Sequence, residues 1–394
     1  MKQKTGSILA AFAIGLLALN LRTAVSSFSP IVTYIQTEIS LPIVTIGLLG
    51  IAAPMAFAIA TSLSYRPTRR LGVERTLTLT VLMIVSGHLI RALAWDSTSL
   101  FFGSLLALLG VGIGNVLLPV MVRKYFAHRV GLVTSIYISL TALSATTGSL
   151  VAVPVAEAAG WRFSLGQWAI LAALTLVPLI GLRKKSTPEK RAAERGAQKA
   201  IWRSPTAIAI AATQGMTSVL GYVSFAWLPL LLIEHNQVTV AQGGLLLSLF
   251  ALMGLPASLL VPILATRYHN SHKYIVWFSG TMGIVGTLGI LFSGNESLWL
   301  WVMLYGLGPS MFPLALTLFN LRSRERSTVL AVSAFGQGMS YIFATIIVFS
   351  VGVLRQVTGG WELTLWLLFA ISALSLLAGL QLAKNHFVDD ELKH

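Results

Sequence analysis

Apolar runs of about 20 residues recur along the whole chain and constrain its fold more than any other feature. The runs at 7–34 and 101–122 are examples, and neither alternates apolar with polar residues as the strands of a membrane barrel do. A run of this length suits an α-helix that crosses a hydrocarbon core about 30 Å thick. Because lipid cannot pair with backbone groups, each spanning segment must satisfy its own hydrogen bonds. The sequence therefore predicts an all-α membrane protein.

The composition also indicates lipid as the outer solvent. Of 394 residues, 55% are hydrophobic and 10% are charged, whereas a soluble domain carries about 25% charged residues. The net charge is +15, but the basic residues lie in short loops and not on one face, so we expect no nucleic-acid partner. The chain has no cysteine, which excludes disulfides and thiol chemistry. We interpret the N-terminal apolar run as an uncleaved first span, because no small-residue cleavage site is evident.

Charges and turn residues between the apolar runs predict twelve transmembrane helices. Their predicted bounds are 7–35, 43–64, 76–95, 98–122, 130–155, 163–182, 205–233, 240–266, 273–293, 296–320, 327–354 and 360–382. With both termini in the cytoplasm, 24 of the 28 Lys and Arg fall on the cytoplasmic side, as the positive-inside rule requires. We therefore interpret the basic clusters as topology signals at the headgroup level and not as partner-binding sites.

Similar motifs recur in the same order about 195–200 residues apart. Pro30 matches Pro229, "IGLLGIAAP" matches "GGLLLSLFALMGLP", "GVGIGNVLLP" matches "YGLGPSMFP", and "AGW" at Trp161 matches "GGW" at Trp361. Duplicated halves with a site between them are a recurrent design of secondary transporters. We predict two pseudo-symmetric six-helix bundles at 1–182 and 205–394, joined by a cytoplasmic linker at 183–204.

The twelve spans, the duplication and the central basic loop resemble the major facilitator superfamily. Three stretches resemble its cyanate/2-nitroimidazole porter family: "LNLRTAVSSFSPIV" at 19–32, "GVGIGNVLLPVMVRKYF" at 110–126 and "TQGMTSVLGYVSFAWLP" at 213–229. The resemblance covers most of the chain. It implies a multi-pass permease of the bacterial inner membrane for a small polar or anionic solute, working by alternating access.

Arg22 is the most informative candidate site residue, because it lies about fifteen residues into the first predicted span. A charge at this depth costs about 3 kcal/mol on insertion scales and has to face a cavity or a partner. No Asp or Glu lies in the middle of any predicted span, and a guanidinium suits bidentate contact with an anion. We favour contact with the solute. The alternative is a structural role in which Arg22 bonds to helix carbonyls or to amide side chains.

Other polar residues fall on helix faces that predict an aqueous path. Gln214, Ser218 and Tyr222 recur at i, i+4 and i+8, as do Ser333, Gln337 and Tyr341. Hydrogen bonds between helices are an equally good explanation of these faces. The same two interpretations apply to Ser26 and Asn115, which are further substrate-binding candidates. Tyr305 is a candidate for stacking on a planar solute. Trp227 is a further stacking candidate, although we favour a place for it in the aromatic belt.

His88 is a candidate for proton coupling because its side chain titrates near neutrality. A histidine bonded to backbone or water near a helix end is the commoner case. Since no central carboxylate is available, symport, uniport and exchange all stay open. We interpret Arg91, one turn further on, as a side chain that extends to the outer headgroups.

Several functional classes lack their motifs in this chain. No Walker-type loop, His-Glu-x-x-His pattern or nucleophile elbow occurs, so we predict neither an ATP-driven pump nor an enzyme, and no cofactor or metal. A multidrug efflux permease is the nearest rival, and resistance to cationic dyes would favour it. A non-transporting membrane receptor is more distant. We expect a monomer whose partners are the solute and membrane lipids.

Overall fold

The computed structural model describes residues 2–183, 201–268, 270–384 and 386–392, and every regular element among them is helical. The predicted linker at 183–204 falls largely outside these residues. The α-helices are α1 (Lys2–Asn20), α2 (Thr23–Ser26), α3 (Val32–Gln36), α4 (Ile43–Leu71), α5 (Val73–Ala92), α6 (Ser97–Tyr125), α7 (Val130–Gly166), α8 (Trp168–Leu182), α9 (Pro205–His235), α10 (Val240–Leu252), α11 (Gly254–Arg267), α12 (Ser271–Phe292), α13 (Leu298–Gly306), α14 (Met311–Leu321), α15 (Arg326–Thr358), α16 (Glu362–Leu382) and α17 (Val388–Glu391).

Eleven helical segments in the described residues are long and apolar enough to cross a membrane. One of them, Leu132–Leu182, has 51 residues, whereas a single crossing needs about 20. It contains both the fifth and the sixth predicted spans. Gly160 breaks it with φ 84° and ψ 155°, a conformation that glycine adopts without a steric cost. The segments thus accommodate the twelve predicted spans, and the all-α membrane fold is confirmed.

The first membrane segment is not one continuous helix. α1 ends at Asn20, α2 has four residues, and a 3-10 turn at Ser29–Ile31 leads into α3. The Asn20 side chain donates to Leu16 O at 2.8 Å and to Thr175 Oγ1 at 3.2 Å, which anchors the first break against α8. Pro30 lacks a backbone N–H and so cannot continue a regular helix through the turn. The break begins two residues before Arg22 and positions that residue.

Contacts group the chain into two compact units. The first comprises the described residues up to 191 together with 225–233 and 239–248. The second comprises the described residues of 192–224, 234–238 and 249–394. The end of α9 and most of α10 therefore pack with the first unit. The six-helix bundles at 1–182 and 205–394 stay a prediction.

Close packing at glycine occurs in both units. In the first, a Cβ at Gly87 of α5 would lie 2.4 Å from the backbone nitrogen of Ala107 in α6. In the second, a Cβ at Gly286 of α12 would lie 2.3 Å from the backbone nitrogen of Tyr305 in α13. Small residues allow this approach of helix backbones in membranes, where association depends on packing. The two glycines are 199 residues apart, which supports the predicted duplication.

Candidate functional site

Arg22 lies at the break between α1 and α2, where it occupies the residue before the first turn of α2 with φ −124° and ψ −16°. Its backbone N–H donates to Ser144 Oγ of α7 at 3.1 Å. Its carbonyl accepts a hydrogen bond from Ser26 Oγ at 3.0 Å. The Ser144 side chain thus pairs with a backbone N–H at the interruption, as a membrane interior demands.

The guanidinium of Arg22 lies over an aromatic ring of the first unit. Its Cζ lies 5.8 Å from the centre of the Phe57 ring in α4, within the range of a cation–π contact. Phe57 is itself 2% exposed, so this contact does not lie on the outer surface of the unit. Arg22 is nevertheless half-buried and not fully enclosed. A fixed positive charge is therefore present at a helix break inside the first membrane segment.

Ser26 and Asn115 lie on α2 and α6 of the same unit. Ser26 is fully buried, and its hydroxyl lies only 2.1 Å from the place where a Cβ on Gly148 would be. This tight contact with α7 fits the packing interpretation of Ser26. Asn115 is half-buried, and its buried Nδ2 has no hydrogen-bond partner among the residues that the structure describes. That amide has donor capacity left for water or for a solute.

The polar faces of α9 and α15 contact each other in the second unit. The rings of Tyr222 and Tyr341 meet edge to face with centroids 6.3 Å apart. Gln214 lies on α9 beside Gly336 of α15, where a Cβ would be 3.5 Å from its Oε1. Gln337 donates from Nε2 to Ser333 Oγ at 3.0 Å. The structure therefore brings Tyr222 and Tyr341 together, and it places Gln214 against the helix that carries Gln337.

Gln214 stands out within this group. It is fully buried, and neither its Oε1 nor its Nε2 has a hydrogen-bond partner within the described ranges. A buried polar group without a partner costs about 1–3 kcal/mol, so nearly all such groups in native proteins are satisfied. A water molecule or a bound solute that forms hydrogen bonds with this amide would offset the cost.

Three other candidates have contacts that fit structural roles. Tyr305 is 1% exposed, accepts a hydrogen bond from Ser224 Oγ at 3.2 Å and stacks on Phe250 at 5.4 Å. His88 is fully buried, with Nδ1 3.1 Å from Leu165 O, which matches the backbone-bonded alternative. Its coupling role stays a prediction. Trp227 is fully buried, so its assignment to the lipid-facing aromatic belt is wrong.

Arg91 is buried between helices, contrary to its sequence-based prediction. It is 1% exposed and donates from Nη1 to Ala24 O in α2 at 3.1 Å, so the prediction that it extends to the headgroups is wrong. Its guanidinium also lies 5.9 Å from the Phe28 ring centre. Arg91 thus holds the interrupted first segment. The sequence feature that indicates its burial is the spacing of three residues from His88, which places both polar side chains on one face of α5.

Solved transporter structures share this fold. The nucleoside transporter NupG superposes with a TM-score of 0.73 over 95% of this chain and 99% of its own, at 13% identity. A D-xylose-proton symporter gives a TM-score of 0.70 over 96% and 97% of the two chains, at 14% identity. At this level of identity the likeness concerns the fold alone.

Similar sequences extend over nearly the whole chain. The uncharacterized transporter YycB of Bacillus subtilis (strain 168) is 31% identical over 94% of this chain and 92% of its own. The 2-nitroimidazole transporter of Escherichia coli (strain K12) is 30% identical over 93% of both chains. The cyanate transport protein CynX of the same organism is 25% identical over 92% of this chain and 94% of its own.

The sequence model of the Major Facilitator Superfamily matches residues 10–345. The family and these relatives are transporters, so the chain is a membrane transporter and not an enzyme. With a family match over most of its length and relatives of this kind, the chain belongs to the major facilitator superfamily, in its cyanate/2-nitroimidazole porter branch.

Proposed function

We propose that this transporter moves a small solute with an anionic or electronegative group by alternating access, and that Arg22 binds that group. The observation that carries the proposal is the half-buried guanidinium at a helix break within the first membrane segment. A charge at this depth costs several kcal/mol unless it faces a polar or water-filled space. Interrupted membrane helices are where transporters of this architectural class hold substrates.

The chemistry of Arg22 sets the kind of solute. A guanidinium presents paired donors in one plane, which match the two oxygens of a carboxylate-like or nitro group. The Phe57 ring beneath it restrains the side chain, so less freedom is lost when the solute binds. A hydrogen bond to a charged group contributes about 1.5–3 kcal/mol. Loss of Arg22 is therefore expected to weaken binding about 10- to 150-fold.

Uncharged groups orient the solute in this proposal. The Asn115 amide and the Gln214 amide each have unused hydrogen-bonding capacity among the described residues. Tyr222 lies on the same face of α9 as Gln214, and Gln337 and Tyr341 lie on the neighbouring helix α15. Relatives whose names specify cyanate and 2-nitroimidazole indicate solutes that are small and rich in nitrogen and oxygen. We place the solute of this chain in the same class.

A thermal-shift screen tests the assignment of Arg22. Purified wild type, Arg22→Ala and Arg22→Lys are heated with cyanate, 2-nitroimidazole and a set of small carboxylates. Ligands that bind the folded state raise the melting temperature, and the dose that gives half of the shift reports affinity. Arg267→Ala is the matched control, because it removes an exposed arginine from the end of α11.

We expect a ligand that stabilises the wild type and the control but loses its effect on Arg22→Ala. Arg22→Lys should retain part of the effect, since it keeps the charge but not the planar pair of donors. A ligand that stabilises wild type and Arg22→Ala at the same dose would remove Arg22 from the site. Uptake of the best ligand into sealed proteoliposomes then separates a transporter of that solute from a carrier of cationic dyes.

We also propose that the protein lies in the bacterial inner membrane with both termini in the cytoplasm. The distribution of Lys and Arg supports this orientation. Because the chain has no cysteine, single cysteines introduced at exposed loop positions report topology directly. In intact cells, Asn295→Cys should react with a membrane-impermeant maleimide and His128→Cys should not. The opposite labelling pattern would invert the proposed orientation.

A further inference from the structure

A groove with basic and apolar walls lies on the first unit where the end of α4, the start of α5 and the end of α8 meet. It has a volume of about 430 Å³ and is lined by Leu71, Arg75, Thr78, Leu79, Leu82 and Arg183. Four of these residues follow one another on one face of α5, at the spacing of successive helical turns. The volume is within the usual range of small-molecule sites.

The walls of the groove change from basic to apolar along α5. Arg75 lies in the first turn of α5, and Arg183 directly follows α8; both are exposed. Further along α5, Leu79 is 48% exposed and Leu82 is 44% exposed. Two cations at the helix ends therefore lie next to apolar side chains that face outward from a membrane-spanning unit. None of the six lining residues is acidic.

The acidic residue nearest to Arg75 in the sequence contacts α6 and does not line the groove. Glu74 is fully buried and accepts from Lys124 Nζ at 2.6 Å and from Tyr125 OH at 2.7 Å, both of α6. Its carboxylate thus stabilises the contact between α5 and α6. The charge that α5 contributes to the groove is that of Arg75.

We infer that this groove binds an anionic glycerophospholipid, with the phosphate between Arg75 and Arg183 and the acyl chains along Leu79 and Leu82. In a protein embedded in a bilayer, an outward-facing groove at this depth is filled by lipid. Basic pockets between transmembrane helices on the cytoplasmic side favour anionic headgroups. Both arginines belong to the basic clusters that the positive-inside pattern assigns to the cytoplasmic side, so the ligand belongs to the inner leaflet. The inference is independent of the transported solute.

The size of the expected preference follows from the two charges. A basic residue near an anionic lipid surface contributes an affinity gain of about fivefold, so two arginines give about 30-fold. The measured quantity is the ratio of affinities for dioleoyl phosphatidylglycerol and dioleoyl phosphatidylcholine, which have the same chains. Native mass spectrometry of the detergent-purified full chain, titrated with each lipid, gives both affinities.

Three variants make the test specific. The double variant Arg75→Gln, Arg183→Gln should reduce the preference for phosphatidylglycerol to near unity. The double variant Arg75→Lys, Arg183→Lys keeps the charges and should retain most of the preference. The control Arg267→Gln, Lys384→Gln removes two exposed charges outside the groove and should behave as the wild type. Thermal unfolding in detergent verifies that each variant is folded.

Two results would overturn the inference. One is a wild type without preference between the two lipids. The other is a Gln double variant that keeps the wild-type preference. Inorganic phosphate is added at millimolar concentration in a separate arm. We expect it to leave bound phosphatidylglycerol in place, because the acyl chains supply much of the affinity. Displacement of the lipid by phosphate would instead identify a site for a free anion and contradict a lipid site.

Discussion

Gly286 is a position at which one added methyl group should have a large effect on stability, because the nearest opposing atoms belong to a helix backbone. A Cβ there would lie 2.3 Å from the backbone nitrogen of Tyr305, 2.5 Å from its Cα and 2.6 Å from its Cβ. Ordinary contacts of a Cβ begin at 3.4 Å. Because the opposing atoms include the backbone of α13, no side-chain rotation relieves the overlap. The two helices would have to separate by roughly 1 Å.

The destabilisation by Gly286→Ala follows from this separation. Insertion of a methyl group into a packed contact costs about 1–3 kcal/mol when neighbours can adjust, and more when they cannot. Replacement of a helical glycine by alanine gains up to about 1 kcal/mol of backbone entropy and propensity. The overlap is the larger effect, so we expect a net loss of about 2 kcal/mol or more for Gly286→Ala. Gly87→Ala, with a 2.4 Å approach to the backbone of Ala107, should show the same loss.

Gly221→Ala is the matched control for this experiment. Gly221 lies in α9, and a Cβ there would have no atom within 4 Å, so only the favourable backbone contribution remains. Unfolding of the purified variants in increasing sodium dodecyl sulfate, followed by tryptophan fluorescence, ranks their stabilities. We expect lower midpoints for the Gly286 and Gly87 variants and an unchanged or higher midpoint for Gly221→Ala. A Gly286→Ala midpoint equal to that of the wild type would refute the packing argument.

Two further substitutions probe the start of α15 and the polar face of α9. Burial alone would raise the pKa of Asp389, but hydrogen bonds from Thr328 Oγ1 and from the backbone N–H groups of Arg324 and Glu325 outweigh it and lower the pKa. The ionised Asp389 therefore stabilises the protein fully above its unfolded pKa of 3.8, and this contribution is lost as the pH falls through the lower folded value. Asp389→Asn should cost about 1 kcal/mol at neutral pH. Its melting temperature should approach that of the wild type as the pH falls from 3.8 through the lower folded pKa of Asp389. Gln214→Met removes a buried amide that has no partner in the described part of the chain. The melting temperature should therefore rise, and the shift that a ligand induces should become smaller. A variant that is less stable and still binds ligand fully would contradict a solute-binding role.

The membrane fold could be predicted from the sequence because the length of apolar runs is a direct consequence of bilayer thickness. The break at Gly160 also fits a local rule, since a glycine with positive φ divides the longest segment where two spans were expected. The interruption after Asn20 was not predicted. The interruption depends on the Asn20 amide, which bonds to its own helix, and on hydrogen-bond partners in α7 and α8 that are distant in the sequence. A hydropathy pattern does not detect such hydrogen bonds.

The neighbour toward which a side chain points was harder to predict than the position of its residue along a membrane span. Arg91 was assigned to the headgroups because it lies one turn beyond His88, toward the outer end of the third predicted span. Its true contact, the carbonyl of Ala24, lies 67 residues away in the sequence. The pairing of the α9 and α15 faces was predicted only as two separate faces. Helical spacing identifies residues that share one face, but not the helix that this face contacts.

Comparison of corresponding positions in the two halves separates shared architecture from residues found in one half only. Gly87 and Gly286 make the same type of contact 199 residues apart. Trp161 and Trp361 are 200 residues apart, and each contacts a guanidinium, although the two arginines come from non-equivalent positions: Arg162 at 4.3 Å and Arg355 at 5.7 Å.

Arg22 does not follow this repetition. The position 199 residues after it is Gly221, and α9 continues there without the break that interrupts the first segment. Arg22 is thus not part of the packing that the two halves share. A role in binding the solute accounts for an arginine in one half only, and an Arg22→Ala variant that lost stability but kept full ligand binding would contradict this reasoning.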